Sequence, residues 1–318
     1  GQGGIFQNEN KECFMSIIER LHEMRKFGGK ALTTGLPDDV ILRFAERDER
    51  LPEAIDVAYD EFRQWCEQWP ELLALDEESQ IREIQSDFVN FYADDAINPY
   101  VGLNGRGPWL ITLKGAVLYD AGGYGMLGFG HNPAAVIEAM NQPHLMANVM
   151  TPQIAQKRFT NRLRREIGQQ RGACPFDHFL CMNSGSEAVT VAARISDINA
   201  KLMTDPGGRY ANQPIRKLSL KGGFHGRTQR PAQFSDSTRA NCCKHLATFR
   251  DSDKLITVEP NDVEQLRQVF GWAESNRFFI EAFFLEPVMG EGNPGEAVNP
   301  EFYAEARRLT NEHGALLL

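Results

Sequence analysis

Apolar residues recur at helical spacing through roughly the first 98 residues of the chain. The pattern predicts helices in the ranges Phe14–Met24, Pro37–Phe44, Ala54–Trp65 and Ser79–Phe91. The two acids that follow Pro37 suit a first helical turn, because carboxylates stabilise the positive end of the helix dipole. No catalytic or binding motif occurs here. We therefore predict a helical N-terminal extension, residues 1–98, that serves packing or dimerisation.

Short strand patterns replace the helical spacing after this extension. Asn104–Pro108 carries the glycines and proline that are typical of a loop. Trp109–Thr112 and Ala116–Tyr119 predict two short strands joined by a turn. A glycine-rich stretch, Asp120–His131, comes next. We assign residues 99–132 to part of a small N-terminal domain.

Strand and helix patterns alternate over residues 133–318, which we assign to a large domain. Helices are predicted at Ile154–Ile167, Ala188–Ile198, Val263–Phe270 and Pro300–His313, and strands at His178–Met182, Lys217–Leu220 and Ala282–Leu285. The last helix has an N-cap candidate in Asn299, and Gly314 ends it. This alternation predicts an α/β fold with a mostly parallel sheet and flanking helices. Ala315–Leu318 begins a further strand, so we expect the polypeptide to continue.

Composition narrows the classes of partner and the compartment. The net charge of −9, with only 34 Lys plus Arg, argues against binding to nucleic acids or anionic membranes. No run approaches about 20 apolar residues, so no membrane span is predicted. The six cysteines contain no Cys-x-x-Cys pair, and two of them are adjacent. We expect reduced, mostly buried thiols, no metal site and a cytoplasmic protein.

One chemical motif lies between a predicted strand and a predicted helix, at Asn183–Ala188. Its small residues let the backbone approach a ligand. The free N–H groups and the dipole of the helix start favour an anion, so the motif is a candidate phosphate cup. A bare N-capping turn would use the same residue types, and this alternative stays open.

Two further motifs also follow strands. In Leu220–Thr228, glycines flank an aromatic that can stack on a flat ring and an arginine that can grip a carboxylate with two hydrogen bonds. Phe284–Gly292 places Glu286 at the end of the apolar strand. A solvated loop arginine and a solvated glutamate are the alternatives. Because ligands bind at the carboxyl ends of parallel strands, all three motifs can converge on one edge of the sheet.

The order of these motifs resembles that in the class III aminotransferases of the ornithine, acetylornithine and 4-aminobutyrate type. These enzymes have fold type I of the pyridoxal-phosphate (PLP) enzymes. The resemblance covers roughly residues 97–318. The matching stretches are Tyr119–Pro133, Asn183–Ala188, Phe224–Thr228, Glu286–Gly292 and His313-Gly314. It implies pyridoxal 5′-phosphate (PLP) as cofactor, an enzyme that moves an amino group from a carboxylate-bearing amine or amino acid to a 2-oxo acid, and a homodimer.

The resemblance also implies roles for individual residues. The cofactor-binding residues are Ser184, Gly185, Ser186, Phe224 and His225, with the phosphate on Gly185 and Ser186 and the pyridine ring stacked on Phe224. The substrate-binding residues are Tyr124, Arg227 and Glu286, and Arg227 matches an arginine that binds a substrate carboxylate.

One departure concerns the catalytic lysine. The family's Asp-Glu-x-Gln motif and its Schiff-base lysine are not found in residues 1–318, so the catalytic residue stays unassigned. Other PLP reactions on the same scaffold, such as those of aminomutases, racemases and decarboxylases, remain alternatives, as does a non-catalytic relative that binds PLP or another phosphate.

Overall fold

The chain divides into two compact units, residues 1–148 and residues 149–318. The structure, a computed structural model, describes residues 15–89, 97–122, 128–148, 150–250 and 254–318. None of the helices within these ranges is both long and apolar enough to cross a membrane.

The first unit begins with helices and continues into a small sheet. The helices are α1 (Ile17–Lys26), α2 (Asp38–Ala45), α3 (Arg50–Gln68), α4 (Pro70–Ala74) and α5 (Glu77–Gln85). Strands β1 (Gly102–Arg106), β2 (Trp109–Thr112) and β3 (Val117–Tyr119) form an antiparallel sheet in that order, and α6 (Ala134–Met140) follows. The predicted helices of the extension are thus confirmed, although the last one ends at Gln85, and Phe14 and Phe91 lie outside the described residues.

The core of the first unit forms where α3 packs against β1 and β2. Ile55 and Phe62 of α3 are buried together with Trp109 and Ile111 of β2. The indole N–H of Trp109 donates to the Asp48 carboxylate at 2.9 Å, so this buried ring keeps its hydrogen bond. Helix α3 and the small sheet therefore share one core within the first unit. The assignment of domains 1–98, 99–132 and 133–318 stays a prediction.

The prediction of a loop at Asn104–Pro108 is wrong in its first half. Asn104, Gly105 and Arg106 belong to β1 and pair with Ile111, Leu110 and Trp109. Asn and Gly are poor strand formers in isolation. Here pairing with β2 and packing against α3 outweigh that local preference, and the chain turns only at Gly107 and Pro108.

The second unit is an α/β layer structure. Strands β4 (Ile215–Leu220), β5 (Leu255–Val258), β6 (Phe279–Phe284) and β7 (Leu316–Leu317) form a sheet in the order β5-β4-β6-β7. All of its pairs are parallel, and every residue of β6 is buried, as expected of a strand covered on both faces. The predicted α/β class with a parallel sheet is therefore confirmed.

Of the described helices of the second unit, four match predicted helices, and two short ones within residues 229–245 have no predicted counterpart. The α-helices are α7 (Ile154–Gly168), α8 (Gly185–Thr204), α9 (Gln229–Ala232), α10 (Arg239–His245), α11 (Val263–Ser275) and α12 (Pro300–His313). The Asn299 side chain accepts from the N–H of Phe302, Pro300 opens α12, and Gly314 ends it at a φ of 77°. Both predicted ends of this helix are confirmed.

The predicted buried strand at His178–Met182 is wrong. This segment is irregular and mostly exposed, with Leu180 64% and Met182 42% accessible. A strand needs a neighbouring strand as hydrogen-bonding partner. Within the described ranges no strand pairs with residues 178–182. The expectation of mostly buried thiols is also wrong, because each of the five described cysteines is exposed or only half-buried.

His313 connects the end of α12 to the sheet. The Nε2 atom of this buried residue accepts a hydrogen bond from the backbone N–H of Ile280 at 3.1 Å, and Nδ1 lies 3.3 Å from the Tyr210 hydroxyl. Its ring stacks on Phe279 with centroids 5.3 Å apart. Burial lowers the pKa of His313 to about 4, so the imidazole is neutral and Nε2 stays available as an acceptor.

The second unit should lose stability as the pH falls from about 6.5 towards about 4. The folded-state pKa of His313 lies below that of the unfolded chain, so the unfolded state binds the proton first in this window. Thermal unfolding of the protein and of His313→Gln, followed from pH 7 to pH 4.5, measures the effect. We expect a shallower fall in Tm for the variant, whereas the exposed-site control His245→Gln should follow the wild type. Equal slopes for all three proteins would contradict the assignment.

Candidate functional site

Three segments of the second unit contact one another: the loop after β4 (residues 221–228), the loop after β6 (residues 285–292) and the start of α8. Parallel pairing of β4 with β6 brings the first two to the same edge of the sheet. The three motifs thus lie together as predicted, although among the described residues the start of α8 does not follow a strand, because residues 178–182 are irregular.

The start of α8 has the features of an anion site. The Ser184 hydroxyl accepts from the N–H of Glu187 at 3.2 Å, and the Glu187 carboxylate accepts from the N–H of Asn183 at 3.0 Å. The backbone N–H groups of Gly185 and Ser186 have no partner within the helix because they lie in its first turn. A Cβ built on Gly185 would meet no atom within 4 Å, so the space beside the Gly185 Cα is open.

Gly226 brings the loop after β4 against the start of α8. Its φ is 114°, a left-handed conformation that favours glycine. A Cβ at this position would lie 2.6 Å from the Ser186 hydroxyl and 3.2 Å from the Ser186 Cα. The Thr190 and Thr228 hydroxyls are 3.3 Å apart and form a second link. The absence of a side chain at Gly226 thus permits the anion-binding turn and the loop to touch.

Glu286 ties the two strand-end loops together. One oxygen of its carboxylate accepts from the N–H of Phe224 at 2.8 Å, and the other accepts from the N–H of Gly290 at 3.0 Å. Gly222 and Gly292 approach each other so closely that a Cβ on Gly292 would overlap the carbonyl oxygen of Gly222. Glu286 is therefore a bridging acceptor that fixes the backbone at Phe224.

The aromatic and the arginine of the motif lie against each other. The Arg227 guanidinium carbon is 5.3 Å from the centroid of the half-buried Phe224 ring. The same guanidinium pairs with Glu291, with Nη2 3.0 Å and 3.3 Å from the two carboxylate oxygens. Glu291 received no role in the sequence analysis, because no local pattern indicates its partner.

His225 is buried behind this surface. Its backbone N–H donates to the Ser235 hydroxyl at 2.8 Å, and its ring meets Phe284 edge-on at 5.5 Å. Burial lowers its pKa to about 4, so the ring is neutral. Its Nε2 is buried and has no hydrogen-bond partner. An unpaired buried polar atom is costly, so this nitrogen is a feature that a bound ligand could satisfy.

A partly buried ionic cluster joins α8, β4 and β6 next to the loop after β4. Arg230 follows the loop and lies 3.2 Å from a carboxylate oxygen of Glu281, which is 1% exposed on β6. The same Nη2 contacts Asp197 and the carbonyl oxygen of Ala193, both on α8. Lys217 of β4 lies 3.8 Å from Glu281. Arg230 thus links α8 to the central strand and helps to hold the start of α8 beside the loops.

Seven of the eight predicted site residues fall in this cluster: Ser184, Gly185, Ser186, Phe224, His225, Arg227 and Glu286. Tyr124 lies outside the described residues. Asp120 and His131, which precede and follow Tyr124 in the glycine-rich stretch, belong to the first unit, and their side chains are 3.0 Å apart. They line a cavity of about 520 Å³ in that unit. The binding roles of the eight residues stay predictions.

Comparison with protein families and curated proteins identifies relatives. A model of the family "Aminotransferase class-III" matches residues 92–318. The chain is 29% identical over 229 residues to the acetylornithine aminotransferase of Mycolicibacterium smegmatis, which covers 66% of this chain and 49% of that protein. It is 34% identical over 150 residues to the ornithine aminotransferase of Emericella nidulans, covering 45% and 31%. The chain spans about half the length, or less, of these curated relatives.

Solved structures support the fold. The ornithine aminotransferase of Toxoplasma gondii ME49 superposes with a TM-score of 0.56 at 21% identity, covering 79% of this chain and 55% of that one. The taurine:2-oxoglutarate aminotransferase of Bifidobacterium kashiwanohense, solved with PLP and glutamate, gives 0.52 at 13% identity, covering 76% and 55%. At these identities the likeness concerns the fold alone, and the predicted PLP fold type I is confirmed.

Gly226→Ala should destabilise the protein by about 1–3 kcal/mol, because it adds backbone strain and a collision with Ser186. Gly271→Ala in α11 is a matched control, since a Cβ there meets nothing within 4 Å. A glycine-to-alanine change inside a helix should stabilise by roughly 0.5–1 kcal/mol. Urea unfolding measures both. A Gly226→Ala protein as stable as the wild type would show that the loop does not depend on this contact.

Proposed function

This chain belongs to the class-III aminotransferase family, and from that premise we propose that the protein is a PLP-dependent aminotransferase. It moves an amino group from a carboxylate-bearing amine or amino acid to a 2-oxo acid. The observation that carries the proposal is the junction of an open helix start, an aromatic ring and an arginine within one cluster. A phosphate, a flat ring and a carboxylate are the groups that these three features bind best.

The residues present fit PLP in chemical type. The N–H groups of Gly185 and Ser186 at the start of α8 suit the phosphate, and the open space there leaves room for it. Phe224 offers a face for the pyridine ring, and the unpartnered Nε2 of the neutral His225 offers a further polar contact. Bound PLP would supply the electron sink of the reaction, while the protein supplies orientation and electrostatics.

Arg227 would hold the carboxylate of the substrate. A guanidinium binds a carboxylate through two parallel hydrogen bonds, and its contact with Phe224 restricts its orientation. The pairing of Arg227 with Glu291 affects how a substrate carboxylate could bind. Because Glu291 already occupies Nη2, the substrate carboxylate must displace or share that partner. Both side chains are partly exposed, so the exchange costs little, since exposed ion pairs contribute only about 0–1 kcal/mol.

Glu286 would hold the backbone of the site in place in addition to contacting the substrate. By accepting the N–H groups of Phe224 and Gly290, its carboxylate sets the position of the ring-stacking residue. Substrate contact by Glu286 and by Tyr124 is part of the proposal. We further propose a homodimer in the cytoplasm that binds no nucleic acid and no membrane, which agrees with the acidic composition.

Borohydride reduction of the purified full-length protein tests the cofactor directly. We expect its intact mass to increase by one reduced pyridoxyl phosphate, because the reduced bond to lysine is permanent. Peptide mapping then tests the expectation that the modified lysine is not among residues 1–318. No gain in mass would contradict the proposed function and would favour a non-catalytic relative. A label on a lysine within residues 1–318 would contradict that expectation alone.

Arg227→Ala should raise the KM for the amino donor by about 10- to 100-fold while PLP remains bound, because a charged hydrogen-bonded contact contributes roughly 1.5–3 kcal/mol. Initial rates measure KM, and absorbance of the bound cofactor measures occupancy.

The matched control is Arg307→Ala. Arg307 also lies over an aromatic ring, that of Tyr303 at 6.0 Å, but on the exposed surface of α12. We expect this variant to behave as the wild type does. An Arg227→Ala enzyme with unchanged KM would show that another group binds the carboxylate.

A further inference from the structure

A large groove lies in the first unit. Helices α4 and α5 form its sides, and its volume is about 940 Å³. The lining residues are Gln68, Trp69, Pro70, Glu71, Leu72, Leu75, Glu83, Ile84 and Asp87. We call this surface the α4–α5 groove.

The groove has an exposed apolar floor. Trp69 is 55% exposed, Ile84 40% and Leu75 37%, and all three line the groove. The Trp69 ring stacks on Trp65 with centroids 4.9 Å apart and planes within 5°. An indole that is already held in place loses little conformational entropy when a partner covers it, which is typical of anchor residues at interfaces.

The rim of the groove is acidic. Glu71 lies on α4, Glu83 lies on α5, and Asp87 follows α5. Among the described residues, none of these three carboxylates forms an ion pair, whereas the neighbouring Glu78 pairs with Arg82. Between Gln64 and Val89 the sequence holds seven acids and one basic residue, Arg82. The groove therefore combines apolar area with a negative charge that nothing described here neutralises.

We propose that the α4–α5 groove binds a basic amphipathic helix of a partner protein. The apolar side chains of such a helix would cover Trp69, Leu75 and Ile84, and its lysines or arginines would face Glu71, Glu83 and Asp87. Helix-in-groove recognition uses this arrangement, with apolar anchors spaced along one face. Charge complementarity selects this occupant, since nucleic acids and anionic membranes would be repelled, as would a second copy of a chain with net charge −9.

Peptide titration with the full-length protein tests the proposal. The probe is a synthetic 18-residue helical peptide with leucines on one face and lysines on its flanks, labelled for fluorescence anisotropy. One matched peptide carries glutamates in place of the lysines, and another has the same composition in shuffled order, without an apolar face. We expect the probe to bind at least tenfold more tightly than either, with an affinity that falls as salt is added.

Variants of the groove separate this site from general attraction to an acidic protein. We expect the triple variant Glu71→Lys, Glu83→Lys, Asp87→Lys, and separately Trp69→Ala, to weaken peptide binding at least tenfold. The matched controls are the triple variant Glu46→Lys, Asp60→Lys, Glu138→Lys, whose acids are exposed outside the groove, and Trp272→Ala, whose ring is 50% exposed on α11. Thermal melts verify that each variant is folded.

Several outcomes would overturn the proposal. Equal binding of the three peptides, or equal weakening by groove and control variants, would show that the groove is not a binding site for such a helix. Sedimentation velocity adds a further test. Self-association of the protein that the groove triple variant abolishes would identify a second copy as the occupant, and the partner helix would then be wrong.

Discussion

The carboxylate of Glu286 accepts hydrogen bonds from two loops at once, and the geometry of the candidate site depends on this clamp. One oxygen holds the N–H of Phe224 and the other holds the N–H of Gly290. Glu286 is the second residue after the buried strand β6, so the strand, which pairs with β4, limits where its carboxylate can lie. The rigid strand is thereby coupled to the segment that carries Phe224 and Arg227, and the register of β4 against β6 decides where both side chains lie.

Much of this arrangement was readable from local sequence. The ends of α12 follow from Asn299, Pro300 and Gly314, because capping chemistry depends on residues within one or two turns. The three motifs were found for a similar reason, since each is a short run of small or charged residues directly after a predicted strand or before a predicted helix.

Features that depend on tertiary pairing were not readable. The Arg227–Glu291 pair joins residues on different loops, and no pattern within either loop indicates it. β1 was missed because Asn104 and Gly105 are weak strand formers that gain their conformation from β2. For residues 178–182 the error was the opposite one, because a strand was predicted where the structure has none. The apolar residues of this segment satisfy the strand pattern, but no described strand is present to pair with them.

The close approach of Gly222 and Gly292 has a consequence for changing what this site accepts. The two loops touch through their backbones, so neither can be lengthened or given a side chain at these points unless the other gives way. Libraries that insert residues or place side chains at Gly222 or Gly292 in one loop alone would therefore disturb the other loop. Diversification should treat residues 221–228 and 285–292 as one module, exchanged together between homologous scaffolds.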